Sequence, residues 1–314
     1  MRRVLSAGLF CAASIVAAAA AEPASELPAG GLAYASHQTL VTDREDIVIA
    51  ADRVRVSYVL RNTADEARST LIAFALPDID MLSLDGAAVE NPGYDPQNAS
   101  NFVGFWAQID SLPVELAVES RALALGLVDA TAVLQTHNLP LYPLHPDLAK
   151  RLAALPDGVK SDLSARSLIR VSDGQLEPQW TFKTTFFWLQ AFAAGQERSI
   201  SIGYRPIAGA SAWAPETGPA LQQRYCVPAA IASQLNQRAQ KGDPARVRWV
   251  HFLANTGAGA RGAVRKYRLA LETTDGQSVF TCRPGLVDSA RGGTRETTQS
   301  DHVADDEIQV LYID

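Results

Sequence analysis

Cysteine is scarce in this chain: three among 314 residues, at positions 11, 226 and 282. So few exclude a disulfide-dense scaffold. No C-x-x-C pair occurs, which removes thioredoxin-like and zinc-ribbon chemistry. Histidine is nearly as sparse. His37, His137, His145, His251 and His302 form no H-x-x-x-H or H-x-H pair, so zinc sites of familiar spacing are absent. There is no G-x-S-x-G nucleophile elbow. Basic residues are outnumbered, 28 against 34 acidic. A net negative charge argues against nucleic acid and against docking on anionic lipid, both of which favour a basic patch. Beyond residue 21, no apolar run approaches the ~18 residues needed to cross a bilayer.

What is present begins with an export leader. Arg2 and Arg3 form a positive start, Val4 to Val16 an apolar stretch, and Ala17 to Ala21 a small-residue cleavage site before Glu22. The stretch is too short and too alanine-rich for a membrane span. The expected product is a soluble protein exported to a bacterial periplasm. Cys11 lies inside the apolar run rather than at its end, which argues against a lipid anchor. The cleaved chain then holds Cys226 and Cys282. In an oxidising compartment an even pair most simply makes one disulfide. Two buried free thiols are the alternative.

Hydrophobic residues make up 47% and charged residues 20% of the chain, the balance of a globular protein. Strand signals dominate up to about residue 118. Val54, Val56, Tyr58 and Leu60 alternate with Arg53, Arg55, Ser57 and Arg61, as in a half-buried strand. Turn chemistry at Asn62 to Asp65 and a second apolar run from Ser69 to Leu76 suggest an antiparallel hairpin. Further strands are expected at 47–50, 102–109 and 114–118. Residues 84–101 read as a long loop.

Residues 120–170 read as a helical island. Asp129 can cap a short helix. Pro146 opens another, with Leu148, Leu152 and Leu155 on one face, ended by Pro156-Asp157-Gly158; a third is expected over 161–167. Strand patterning returns at Glu177. The stretch 178–192 carries Trp180, Phe182, Phe186, Phe187, Trp188 and Phe192. With Ile200, Ile202 and Tyr204 it suggests a second hairpin across the turn 193–196. A Gly/Ala/Pro loop is expected at 206–220, a helix after Pro228, and strands at 247–254, 266–271, 278–282 and 308–313.

Few residues suggest chemistry. Gly257 to Gly262 matches G-x-G-x-x-G, but an alternating, strand-like segment follows it, where a dinucleotide site needs a helix. Acidic groups at 43–46, 78–80 and 305–307 lack the rhythm of a calcium loop. His137, Tyr142 and His145 lie in a proline-bracketed loop able to hold polar groups in place. Trp180 and Trp188 mark the aromatic stretch, read as core or as an apolar groove. These five residues form the candidate binding region. No catalytic, metal or cofactor-binding residue is assigned.

Four stretches carry a family resemblance: VRVSYVLRNTADEA with FALPDID; RALALGLVDAT with NLPLYPL; FFWLQAFAAGQERSISIGYRPIAGAS; and YCVPAAI with FLANTGAGARGAVRKYRLALE and VFTCRPG. On these the chain resembles an uncharacterised family of exported proteobacterial proteins, known only as a domain of unknown function. The resemblance implies a secreted, β-rich protein with a disulfide and carries over no catalytic residue. It departs at Ala258-Gly259-Ala260, where an aromatic is expected after the first glycine.

The expected fold is mainly β, with sandwich-like antiparallel sheets, a helical insertion and a short helix in the C-terminal part. The expected division is a leader at 1–21, a β segment at 30–119, the insertion at 120–175 and a second β segment at 176–314. The expected function is a non-catalytic binding or interaction module of the cell envelope, with an unknown protein or small molecule as partner. A hydrolase with a site between insertion and β body, or a carrier of a small apolar ligand, are the alternatives.

Overall fold

The computed structural model describes residues 31–34, 39–82, 88–90, 94–253, 263–289, 292–303 and 307–314. The expected export leader and the G-x-G-x-x-G match at 257–262 lie outside them. The chain opens with strands β1 (Gly31–Tyr34), β2 (Leu40–Ile49), β3 (Val54–Asn62), β4 (Arg68–Ala75), β5 (Ile79–Asp80) and β6 (Ala88–Glu90). After a 3-10 segment at Pro96–Asn101 come β7 (Trp106–Ile109), β8 (Leu112–Pro113), β9 (Ala117–Ala124) and β10 (Val128–Asp129). Three short helices follow, α1 (Thr131–Thr136), α2 (Leu148–Ala153) and α3 (Asp157–Ala165). Next are β11 (Ile169–Ser172), β12 (Gln175–Pro178), β13 (Thr181–Phe192), β14 (Glu197–Tyr204) and β15 (Ala208–Ala212). Helices α4 (Gly218–Tyr225) and α5 (Ala229–Gln240) precede β16 (Arg246–Leu253) and β17 (Val264–Glu272). The chain closes with β18 (Ser278–Phe280), β19 (Val287–Asp288), β20 (Thr294–His302) and β21 (Glu307–Ile313).

The fold is mainly β. An eight-stranded sheet runs β19-β20-β17-β2-β3-β14-β7-β8, and a second sheet runs β1-β4-β13-β9-β10 with β5 beside β13. A third runs β18-β21-β16-β15-β6, and β11-β12 form a separate hairpin. Among the described residues all pairings are antiparallel except β17 with β2. Ring contacts stitch the first two sheets: Phe105 stacks on Phe186 at 4.2 Å, and Phe74 meets Tyr204 edge-on at 5.8 Å. The third sheet shares the same core through Val250, Phe252, Ile308, Val310 and Tyr312. The Tyr312 hydroxyl donates to the carbonyl of Ile49 at 2.8 Å. The third sheet's other face packs under α4 and α5 through a smaller cluster with Trp213, Tyr225, Leu235 and Val247.

Both expected hairpins are corrected. β3 pairs with β2 and β14, while β4 pairs with β1 and β13. Likewise β13 and β14 lie in different sheets. The turns 63–67 and 193–196 each carry the chain from one sheet to the other, and the strands pair across the two turns. Alternation fixes which face of a strand is buried, not which strand lies beside it. The two corners are joined at Asn62, which is 1% exposed. Its Nδ2 donates to the carbonyls of Glu66 (2.9 Å) and Ala193 (3.0 Å), and its Oδ1 accepts from the Ala64 amide (3.0 Å).

Other expectations shift locally. The strand expected at 102–109 begins only at Trp106. Pro156-Asp157-Gly158 starts α3 rather than ending α2; proline is at home at a helix N-terminus because its missing N–H is not needed there. The loop expected at 206–220 holds β15 and the start of α4. The helices occupy 131–165, and residues 120–124 continue β9. The insertion is less detached than its single leucine stripe implied: Leu134, Leu139, Tyr142, Leu148, Leu152 and Leu163 all join the main core.

Candidate functional site

β15 carries Ala208-Gly209-Ala210, and Gly209 sits opposite Trp249 of β16. A Cβ at Gly209 would lie 2.0 Å from the Trp249 ring. Only glycine lets the indole rest on the backbone there. Along β16, Val250 and Phe252 enter the main core, so Trp249 and His251 point to the opposite side. Helix α4 lies over that side. It ends at Cys226 in left-handed geometry (φ 54°), and Cys226 is bonded to Cys282, Cα–Cα 5.0 Å. The bridge fixes the last turn of α4, which delivers Arg224 and Tyr225.

A polar chain runs through this corner. The Tyr225 hydroxyl lies 3.0 Å from His251 Nε2, and His251 Nδ1 lies 3.1 Å from Glu307. Gln309 donates to Glu307 at 2.6 Å and accepts from Arg224 Nε at 3.2 Å. Burial pushes the His251 pKa down; Glu307 pulls it up and Arg224 pushes it down further. A neutral ring can accept from Tyr225 and donate to Glu307. Burial drives the Tyr225 phenol far above its ordinary range.

Trp249, His251 and Arg224 form one wall of a cavity of about 260 Å³. The other wall comes from residues 76–80 after β4, Phe102 and Tyr204. Asp78 is held by Lys183 at 2.7 Å, and Asp80 accepts from the Thr181 hydroxyl at 3.3 Å and the Leu82 amide at 3.1 Å. The space therefore has an aromatic body, a cation on one side and carboxylates on the other. Its size falls just below the ~300–1,000 Å³ of drug-sized sites and suits a small metabolite. Among the described residues no group of three His, Cys, Asp or Glu could hold a metal.

The five sequence-derived candidates lie elsewhere. Tyr142 is 5% exposed and stacks on Phe102 (4.7 Å) and Tyr94 (5.8 Å). His145 meets Tyr94 edge-on, and its Nδ1 accepts from the Asp147 amide. Trp180 is fully buried, and its Nε1 donates to Leu141 at 2.6 Å, pinning the proline-bracketed loop to the sheet. Trp188 is buried on β13 and stands opposite Ile72. His137 is half-buried just past α1, near Asp162, whose pKa is lowered chiefly by its hydrogen bond from Arg166. None of the five lines the cavity. Tyr142 supports it from behind, through Phe102. Arg224, Trp249 and His251 escaped sequence reading because they come from a helix and a strand with no shared motif. The one local hint was glycine opposite tryptophan, which shows only once the register is known.

No curated protein sequence matches the chain significantly. Among solved structures, a candidate nutrient-binding protein of Legionella pneumophila overlaps 90% of this chain and 71% of its own, at 12% identity and TM-score 0.41. An M1 zinc metallopeptidase of Deinococcus radiodurans overlaps 88% of this chain and 43% of its own, at 9% identity and TM-score 0.28. Both likenesses are too loose to carry an argument about fold or function. The sequence itself is more telling: the profile of a domain of unknown function, DUF4424, matches residues 20–311, and the chain belongs to that family.

Proposed function

We propose that this protein is an exported, non-catalytic binding module of the bacterial periplasm, and that its ligand is a small polar molecule held in the cavity between β16, α4 and the 76–80 segment. The observation that carries this reading is the cavity itself, with Trp249 laid flat on Gly209 and charges of opposite sign facing each other across the space. Most of the polar groups around it are already tied to protein partners; the buried Tyr204 hydroxyl is the exception. Both His251 nitrogens are engaged, by Tyr225 and Glu307. The only hydroxyl on that histidine is a phenol with a strongly raised pKa, a poor nucleophile. Such fixed groups orient a ligand rather than transform it. The disulfide agrees with an oxidising compartment.

The test is a thermal-shift and ligand-observed NMR screen of amino acids, amines and small carboxylates. Wild type is compared with Arg224→Ala and Trp249→Ala. The expected result is a small set of hits that raise the melting temperature of wild type and are lost in both variants. Absence of any hit across the panel, or hits indifferent to both substitutions, would refute the assignment of this cavity.

A further inference from the structure

A second surface lies on the outward face of the eight-stranded sheet. Trp106 on β7, Gly203 on β14 and Arg55 on β3 sit side by side in one register row. The next row on the same face is Gln108, Ser201 and Ser57, since residues two apart on a strand point the same way. The indole of Trp106 lies flat over Gly203: a Cβ there would meet its ring atoms at 2.5 Å. One ring face covers the glycine. The side chain is nonetheless 40% exposed, while Trp180, Trp188 and Trp213 are buried. Trp106 therefore presents an aromatic surface to solvent, parallel to the sheet, bordered by an amide and two hydroxyls.

The surroundings are basic, against the trend of the chain. The groove at this row has a volume of about 490 Å³ and is lined by Arg53, Arg55 and Arg205, with Asp52 as its only acidic residue. Asp52 is bonded to Arg53, which also reaches Glu272. Arg55 is exposed and has no acidic partner among the described residues. A positive groove on a chain of net charge −6 is arranged for an anion.

We infer that this groove is a second binding site, and that its ligand is a carboxylated saccharide. A flat π-face attracts the positively polarised C–H edge of a pyranose ring, as it attracts other partially positive groups. The hydroxyl and amide row of Gln108, Ser201 and Ser57 matches sugar hydroxyls. The Arg55 guanidinium offers a fork for a carboxylate. An aromatic platform beside arginines also suits single-stranded nucleic acid. The acidic balance of the whole chain disfavours a polyphosphate, and a short carboxylated saccharide, with fewer charges, lessens that repulsion. This site does not depend on the cavity beside Trp249; the two share only Tyr204 among their lining residues.

The experiment titrates wild type, Trp106→Ala and Arg55→Ser with trigalacturonate, the corresponding neutral galactose trimer and an oligothymidylate, at low salt. Tryptophan fluorescence is the readout for wild type and Arg55→Ser, and calorimetry for all three proteins. A glycan array spanning neutral and carboxylated sugars runs in parallel, so the conclusion does not hang on one sugar. The expected result is preferential binding of carboxylated glycans with quenching of Trp106 emission. Affinity should fall about tenfold or more in Trp106→Ala. Arg55→Ser, whose exposed site leaves the fold intact, should lose the preference for carboxylated over neutral sugar. Absence of binding across the whole array, equal affinity for carboxylated and neutral forms, or undiminished affinity in Trp106→Ala overturns the proposal. Tight binding of the oligothymidylate alone also overturns it and assigns the groove to nucleic acid.

Discussion

Asn62 should behave as a keystone, and the order of its variants tests why. Its side chain closes three hydrogen bonds between two corner turns, and its own amide donates to the Gln196 carbonyl at 2.9 Å. In Asn62→Ala the carbonyls of Glu66 and Ala193 lose a donor and the Ala64 amide loses an acceptor. Each group stranded in a fully dry site costs roughly 1–3 kcal/mol. Glu66 and Ala193 lie at the surface, so water can reach part of the vacancy. About 2–3 kcal/mol in total is the reasoned loss. At roughly 2–4 °C per kcal/mol for a large domain, the melting temperature should drop by about 5–10 °C. Asn62→Asp is nearly isosteric and keeps the acceptor for Ala64, yet it should be no better than alanine above pH 6. It replaces a donor with a carboxylate facing two carbonyl oxygens. The trapped carboxyl would have a raised pKa, so its penalty should shrink as the pH falls and a proton restores one donor. Urea denaturation at pH 4.5 and pH 7.5 reads both effects. If Asn62→Asp is as stable as wild type at pH 7.5, the hydrogen bonds do not hold the corner and the reasoning fails.

Breaking the disulfide by Cys226→Ser with Cys282→Ser opens a loop spanning 56 positions. The chain-entropy relation gives a loss of about 4 kcal/mol, and a melting temperature unchanged within error would contradict it. Gly209→Ala should push the Trp249 indole off the backbone, since the added carbon would sit 2.0 Å from the ring. Near-UV circular dichroism should change and the cavity ligand should be lost, whereas an unchanged spectrum would show that the ring contact is not tight. Asp43 forms a 2.6 Å ion pair with Arg61 that lowers its pKa below 3.8, with Arg265 also nearby. A depressed carboxyl stabilises the fold above its unfolded pKa, and that stability is lost as the pH falls through its folded value. Asp43→Asn should therefore flatten the steepest part of the acid-unfolding curve below pH 4. The His251 pKa is lowered from 6.5 by burial, so the unfolded chain binds the proton first. Stability should fall as the pH drops below about 6.5, and His251→Gln should remove that slope; an identical slope in the variant would assign it to another group.

The sequence was most legible where a face is buried. Val54, Val56, Tyr58 and Leu60 alternate, and all four are fully or almost fully buried. Paired cysteines likewise announced their bond. Pairing partners were hidden, because β3 and β4 are adjacent in sequence yet each finds one of its two neighbours more than a hundred residues away. β15 was read as loop because Ala-Gly-Ala-Ser-Ala has no β-branched or aromatic signal. It is a strand because β16 and β6 flank it and the Trp249 indole needs its bare backbone. The cavity was illegible for the same reason as the pairings: its walls come from residues 76–80, 102, 204, 224, 249 and 251, among others. What the sequence could say of the insertion was its helical content and the leucine face of α2, not that Leu134, Leu139, Tyr142 and Leu163 join the core as well.

The place of β21 sets the timing of assembly. Residues 307–313 do not flank the third sheet; they run through it, between β16 and β18. The strand contributes Ile308, Val310 and Tyr312 to the main core and Leu311 and Ile313 to the smaller one. β2 is held in the same way, clasped between β3 and a late-made parallel neighbour, β17. Ribosomal synthesis therefore delivers a polypeptide that cannot complete the third sheet until residue 313 has been made, nor the pairing of β2 until residue 271 has. Non-local closure of this kind is slow. A chain obliged to stay open for that long meets what the proposed export requires, an unfolded thread whose sheets close late.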